Sequence, residues 1–324
     1  MIDVGINAAP LAAVRTGVGR YIESLLEALR DVPGIRARPL FAPGPAAKGV
    51  RSIVKRLPFA YALAERRRGQ LLLREPGLSL YHETNHAAPP FRGPLVLTVH
   101  DLSTVLHPRT QERARARHFA SALLHRAKQA QRVIVPTQAI AAEVIRVLGV
   151  PGEKVRAIHH GVGANFTPGE PQPRGHFVLY TGDDGPRKGL ATLRAAMPED
   201  FALRCVGPGH AFVPDDELVQ LYRTCAVFVL PSLYEGFGLP LLEAMACGAP
   251  CIASDDPALV EVSGGAALHF PRGDTTALRA LLKRVLGDGS LRIDLSIKSI
   301  ARAQSFSWAQ SAVRHAQVYR EAIG

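Results

Sequence analysis

The residues best placed to do chemistry lie in one string of fifteen, Tyr234-Glu235-Gly236-Phe237-Gly238-Leu239-Pro240-Leu241-Leu242-Glu243-Ala244-Met245-Ala246-Cys247-Gly248. An apolar run, VFVL, leads into it. Pro240 suits the first turn of a helix and Gly248 suits its stop. Gly236 and Gly238 let backbone amides turn toward a ligand at the helix start, which makes an anion site fit for a diphosphate. Glu235 stands before the loop and Glu243 in the first helical turns. Both carboxylates are expected to face one small volume and to accept hydrogen bonds from sugar and ribose hydroxyls. Acids near a helix start are common on capped surface helices, so the weight rests on the whole string.

The elements that must position this string alternate in type. IDVGI reads as a buried strand, NAAPLAAVRTGVG as a loop, and RYIESLLEALRDV as a helix with Ile22, Leu25, Leu26 and Leu29 at helical spacing. Strands are expected at 38–41, 78–82, 95–100, 132–136 and 155–158, with helices over 110–131 and 139–148. Residues 44–77 give no clear reading. A Pro- and Gly-rich stretch, 163–175, reads as a linker. A second series follows, with strands at 177–181, 203–206, 226–230 and 250–253. Its helices fall near 189–197, 215–223, 239–247, 275–287 and 290–303. Alternation of this kind implies parallel sheets, whose ligands bind beyond the carboxyl ends of the strands. The loops to watch are 14–20, 100–108, 182–188, 207–210 and 231–238. The fold class is α/β, with domains at 1–168 and 169–304 and a terminal segment at 305–324.

The 324 residues and 47% hydrophobic content allow two packed cores. No apolar run approaches the roughly 20 residues of a membrane span, and the first residues lack the pattern of a signal peptide. A cytoplasmic location is expected. Cys205, Cys225, Cys247 and Cys251 form no CxxC pair and read as buried free thiols rather than zinc ligands. Residues 1–168 hold 24 Lys/Arg against 11 Asp/Glu, a net of +13, and the remainder nets −2. Such asymmetry points to an anionic partner for the first half, or to an Arg-rich solvated face. Arg51, Lys55, Arg56, Arg66, Arg67, Arg68 and Arg74 form one basic stretch; Arg109, Arg113, Arg115, Arg117, Arg126 and Lys128 form another. The neighbours Leu57, Phe59, Tyr61, Leu71 and Leu72 could dip into a lipid interface or pack on the core.

EGFGLPLLE resembles the Glu-x7-Glu motif of the family 4 retaining glycosyltransferases, and the resemblance runs from RTGVGRY to the terminal SFSWAQSAVRHAQVYREAI. It implies the GT-B fold, two Rossmann-like domains with the active site in the interdomain cleft and a last helix crossing back to the first domain. HETNHAAPPF and VHDLSTVLHP look most like bacterial mannosyl- or rhamnosyltransferases of O-antigen or related polysaccharide. The resemblance implies roles residue by residue. Lys188, assisted by Arg187, meets the donor diphosphate; Asp183 stands where many relatives carry Arg. Gly17, Gly19 and Gly182 line the diphosphate, and Gly207 lies near the ribose and base. Ser232 borders the nucleotide, beside Gly236, Phe237, Gly238, Leu239 and Glu243. His100 and Glu235 face the transferred sugar. Glu83 and Asn85 lie on the acceptor side with Asp101, which reads first as a structural residue that holds its loop or caps the next segment.

The function expected is retaining transfer of a hexose from a nucleoside diphosphate sugar, GDP favoured, to a saccharide hydroxyl. The partners expected are that donor, a lipid-linked saccharide acceptor and an anionic membrane surface, with no nucleic acid. No cofactor and no metal are expected; Asp183-Asp184 and Asp255-Asp256 read as loop acids. A nucleotide-sugar epimerase or hydrolase on the same fold is the alternative. A non-catalytic nucleic-acid-binding protein accounts for the basic half and leaves Glu235 and Glu243 unexplained. A dinucleotide dehydrogenase needs a GxGxxG loop that RTGVGRY does not supply.

Overall fold

A computed structural model of the protein describes residues 1–12, 16–42, 60–72, 74–85, 89, 91–108 and 113–324, without the side chains of residues 12, 60–62, 64, 65 and 113–118. Of the two basic stretches, Arg51, Lys55, Arg56, Leu57, Phe59 and Arg109 lie outside the described residues, as do the side chains of Tyr61, Arg113, Arg115 and Arg117.

The chain begins with β1 (Ile2–Asn7), α1 (Gly17–Ala28), β2 (Ile35–Leu40), α2 (Ala60–Leu72), β3 (Leu80–Glu83), β4 (Leu95–Thr98), α3 (Ser103–Leu106), α4 (Arg113–Gln129), β5 (Arg132–Val135), α5 (Gln138–Leu148) and β6 (Val155–Ala157). It continues through β7 (Phe177–Thr181), α6 (Leu190–Ala196), β8 (Ala202–Val206), α7 (Asp215–Thr224), β9 (Val227–Leu230), α8 (Leu239–Ala246), β10 (Cys251–Ser254), α9 (Pro257–Ser263), β11 (Leu268–Phe270), α10 (Thr275–Gly287) and α11 (Gly289–Ala303). The last helix is α12 (Trp308–Ile323). Met1–His160 and Trp308–Gly324 form one compact unit, and Gly161–Ser307 another.

The first unit holds a parallel sheet in the order β2-β1-β3-β4-β5-β6. LYHE and LVLT are buried at every position, as strands covered on both faces must be. The chain leaves β1 to one side for β2 and returns to the other for β3, so the switch point lies beyond Asn7 and Glu83. The glycine loop expected at residues 7–19 ends earlier. Thr16 caps α1 by accepting a hydrogen bond from the Gly19 amide at 3.1 Å, so Gly17 and Gly19 occupy its first turn. The cap offsets the weak helix propensity of the two glycines.

The second unit holds a parallel sheet in the order β11-β10-β9-β7-β8. Its switch point lies between β7 and β9, beyond Thr181 and Leu230. The short β11 and the helix α9 add to the expected series. Asp256 starts α9: its Oδ1 accepts from the Ala258 amide at 3.0 Å, and Pro257 fills the first turn.

The expected boundary after residue 168 moves to residue 160 because the linker is stitched to the second unit. Phe166 is buried in that core against Tyr222, and Arg223 donates to the Thr167 carbonyl at 2.8 Å. At the other end Phe306 is buried in the same core, so the return to the first unit comes after Ser307 rather than after residue 304.

A buried polar chain fixes α12 to the first sheet. His315 Nδ1 lies 2.8 Å from the Ser311 carbonyl and donates to it, which leaves Nε2 of the neutral ring to accept from Tyr21 at 3.0 Å. Tyr21 then accepts from Thr98 at 3.0 Å, and Thr98 accepts from His82 Nε2 at 2.7 Å. His82 Nδ1 accepts from Tyr319 at 2.9 Å. Every donor in the series has one acceptor, and all five side chains are fully buried. Burial holds His315 down at about 4, and burial followed by neighbouring imidazoles holds His82 and His160 well below their ordinary range.

The sign of the pH effect follows. The unfolded imidazoles take up protons near 6.5 and the folded ones only at far lower pH, so these groups stabilise the unit above about 6.5 and lose that contribution as pH falls toward 4. Glu83 acts oppositely, because burial raises its carboxyl to about 7. Three lowered histidines outweigh one raised acid. Trp308 is the sole tryptophan and stacks on His160 at 5.6 Å, so its fluorescence reports this unit. The stability read from urea unfolding at Trp308 is expected to fall by up to about 2 kcal/mol per buried His between pH 7 and 5, less the Glu83 offset. The Glu83→Gln variant is expected to lose more steeply. A midpoint that ignores pH in both proteins contradicts the assignment of neutral rings.

Candidate functional site in the second unit

Two loops meet at the switch point of the second sheet. After β7 the chain passes Gly182, Asp183 and a short turn, Pro186–Lys188; after β9 it passes Ser232 and Glu235 before entering α8. The Leu233 amide donates to the Arg187 carbonyl at 2.8 Å, and Gly189, at φ +68°, lies so close to Pro231 that a Cβ would stand 2.0 Å from its carbonyl oxygen. No side chain fits there, so Gly189 sets the approach of the loops. Tyr180 donates to the Asp183 carbonyl at 2.5 Å, and Asp183 Oδ1 accepts from the Gly185 amide at 2.9 Å. Asp183 thus shapes the turn.

Glu235 gathers the site. Its Oε1 accepts from Lys188 Nζ at 2.6 Å and from Ser232 Oγ at 2.7 Å; its Oε2 lies 3.5 Å from Arg187 Nη1. Arg187 also donates to the Tyr234 carbonyl at 2.6 Å, and the Glu235 amide donates to Asp256 Oδ2 at 3.3 Å. Burial works to raise the Glu235 carboxyl, but Lys188, Arg187 and the hydrogen bonds overcome it and hold the group below its ordinary range. Asp256 goes the other way: burial, with the Glu235 charge adding to it, raises it to about 6 against its amide hydrogen bonds. Two cations share one ionised carboxylate, so the group carries one net positive charge in a crevice where Lys188 and Arg187 are 17% and 21% exposed. A phosphate about 4 Å from one uncompensated cation gains about 4 kcal/mol at an effective dielectric near 20. The start of α8 adds its dipole.

Several sequence expectations change here. Arg187 and Lys188, expected on the donor diphosphate, here pair with Glu235, a contact the sequence did not indicate. Glu243, on α8, accepts from Tyr222 at 3.3 Å, and Tyr222 reaches Thr181 at the end of β7. The two acids therefore sit on different partners. The Phe237 ring is buried in the core against Phe306, which leaves that residue only backbone to offer a ligand, whereas Leu239 is partly exposed at the edge of the same core. Gly238, at φ +88°, starts α8; a Cβ there would meet Leu259 at 2.4 Å. Gly207 packs on the Gly182 loop, where a Cβ would lie 2.6 Å from the Gly182 carbonyl. Asp256 is no loop acid but a buried helix cap behind Glu235. The Asp-Pro pair before an apolar run was the signal for it.

The first unit places polar groups at its own switch point. His100 Nε2 donates to the Thr84 carbonyl at 3.0 Å, with the ring edge-on to Tyr21. Glu83 is fully buried and accepts from Asn7, Tyr81 and the Asn85 amide at 2.5, 2.8 and 3.0 Å. It braces the strand ends, so its carboxylate is spent on structure at the place expected to lie on the acceptor side. Asp101 accepts from the Ser103 amide at 2.8 Å and so holds its loop.

Two parallel-sheet α/β units, each with polar loops at a switch point, define the GT-B fold. Solved structures agree: sucrose-phosphate synthase from Thermosynechococcus elongatus gives a TM-score of 0.76 at 21% identity over 99% of both chains. Anabaena Alr3699/HepE in complex with UDP-glucose gives 0.72 at 18% identity over 98% of this chain and 99% of that one. The family model "Glycosyltransferase Family 4" matches residues 15–166, and "Glycosyl transferases group 1" matches residues 210–302. The chain belongs to the GT-B glycosyltransferases of family 4. It is 26% identical to O-antigen chain mannosyltransferase B of Escherichia coli over 96% of its own length and 97% of that protein's.

Glu235→Gln removes the one negative charge between the two cations. It is expected to bind nucleoside diphosphate at least as tightly as the parent in calorimetry while losing on the order of one hundred-fold or more in transfer. Weaker diphosphate binding with normal transfer contradicts this arrangement.

Proposed function

We propose that the protein transfers a hexose, mannose or rhamnose by preference, from a nucleoside diphosphate sugar to a saccharide hydroxyl in the synthesis of lipopolysaccharide O-antigen or a related polysaccharide. GDP is the favoured nucleotide. The observation that carries the reading is the Lys188–Glu235–Arg187 cluster at the switch point of the second sheet. The full-length likeness to an O-antigen mannosyltransferase supports the sugar and the pathway class.

In this reading Lys188 and Arg187 offset the charge that builds on the diphosphate as its bond to the sugar carbon breaks. The acceptor oxygen bonds to the same face of that carbon, and its proton passes to a departing phosphate oxygen. Configuration is retained, and no metal takes part. Ser232 and Asp256 hold Glu235 in place, and His100 is the residue of the first unit assigned to the transferred sugar by the family resemblance. The acceptor is a lipid-linked saccharide met at the cytoplasmic membrane face, where the basic balance of residues 1–168 favours an anionic surface. Among the described residues no helix is long and apolar enough to cross a membrane.

A panel of GDP-, UDP- and dTDP-sugars, scored for nucleotide release with and without saccharide acceptors in excess chelator, tests the reading. GDP-mannose or GDP-rhamnose with acceptor is expected to turn over fastest, at a rate the chelator leaves unchanged. In Arg187→Ala with Lys188→Ala, affinity for donor and free diphosphate is expected to fall together, on the order of tenfold or more. Unchanged diphosphate affinity removes the pair from the site, and donor turnover that needs no acceptor favours a hydrolase.

A further inference from the structure

A cavity of about 680 Å³ opens on the second unit between the linker and α11, lined by Arg174, Arg223, Arg292, Ile293, Ile297 and Gly248 among others. Gly248 follows the C-terminal end of α8, whereas Glu235 precedes its start. The cavity is thus separate from the site described above. Its size falls within the range of ligand pockets, about 300–1,000 Å³.

The polar wall is positive. Arg174 is spent on structure: it donates to the carbonyls of Arg223, Cys225 and Gly248 and to Ser296 Oγ, at 3.1, 3.3, 2.6 and 3.2 Å. Arg223 donates through Nε and Nη2 to Thr167, which leaves Nη1 unused by any described group. Its guanidinium lies against Gly169, where a Cβ would stand 2.7 Å from the Arg223 Cζ. Arg292 donates through Nη1 to the carbonyls of Val285 and Leu286 at 2.8 and 2.6 Å, which leaves Nε and Nη2. Among the described residues none of the three arginines meets a carboxylate, and Glu170 is the one acid in the lining. Burial lowers the Arg174 guanidinium, and the like charge of Arg292 acts the same way.

The other wall is apolar. Gly289, Arg292, Ile293, Ser296, Ile297 and Ile300 follow helical spacing along one stripe of α11. Ile293 and Ile297 on that stripe are 64% and 63% exposed. Guanidinium N–H groups thus stand beside exposed branched side chains. An inorganic or sugar phosphate uses the first and not the second. We propose that this cavity binds the headgroup phosphate of an anionic phospholipid, with Ile293 and Ile297 against the adjoining acyl region. The site would seat the second unit on a membrane independently of the donor site, and it stands or falls separately from the proposed reaction.

Co-sedimentation of the full chain with phosphatidylcholine vesicles of rising phosphatidylglycerol content tests this. Three paired variants are compared: Arg223→Gln with Arg292→Gln; Ile293→Gln with Ile297→Gln; and, as a charge control outside the cavity, Lys283→Gln with Arg284→Gln on exposed positions of α10. The first two pairs are expected to lower vesicle partitioning on the order of tenfold, and the control about twofold or less. The isoleucine pair keeps the net charge and changes only exposed positions, so it decides the matter should the arginine pair fold poorly. Partitioning that is absent in the parent, unchanged in both cavity pairs, or lowered equally in all three overturns the proposal. So does binding of inorganic pyrophosphate, lost in the arginine pair, without vesicle association.

Discussion

The second unit's site depends on one buried carboxylate that remains ionised. Taking Glu235 out of water costs several kcal/mol, a cost that cations and hydrogen bonds can offset only in good geometry. Lys188 and Ser232 share one oxygen at 2.6 and 2.7 Å, and Arg187 stands 3.5 Å from the other. Removing a partner from such a group typically costs about 3–5 kcal/mol, because the remaining charge is left unpaired. The same contacts fix both loops at the switch point, so the geometry of β7 and β9 and the electrostatics of the site are one constraint. Asp256, capping α9, holds the Glu235 backbone and carries that constraint to the next strand. Under the proposed function a diphosphate would meet cations already placed and would share them with Glu235.

The first unit solves a different problem. Its last helix comes from the far end of the chain and must find one register on the sheet. Apolar contacts from Ala312, Ala316, Val318 and Tyr319 supply attraction without much selectivity. The chain from Ser311 through His315, Tyr21, Thr98 and His82 to Tyr319 supplies the selectivity, since a shifted helix would leave several buried donors or acceptors unpaired. Two imidazoles in this series must stay neutral for every bond to be made, which couples the seating of α12 to pH.

Much of this was legible in the sequence. β7 over 177–181 and α10 over 275–287 fall where the sequence places them, because β7 is an unbroken run buried on both faces and α10 repeats its apolar residues over 13 positions. The cluster at residues 182–188 and 231–238 was legible as loops at strand ends. Other features were not. Gly17 and Gly19 look like loop residues because glycine is a poor helix former, and the Thr16 cap overrides that. Phe237 sits between two glycines of a ligand-type loop, yet its ring belongs to the core. β11 is three residues long, too short for alternation to show. Partners far apart in the chain, such as His82 and Tyr319, have no spacing rule that connects them. Lys188 and Glu235 were each visible as site residues, but their pairing depends on the close approach at Gly189.

The most direct measurement of the central claim is a structure of the protein with a nucleoside diphosphate bound. The account expects phosphate oxygens within hydrogen-bond distance of Lys188 Nζ and Arg187, beside the start of α8, with Glu235 still ionised and held by Ser232. A diphosphate bound away from β7 and β9, with the Lys188–Glu235 pair intact and sharing nothing with the ligand, would contradict it.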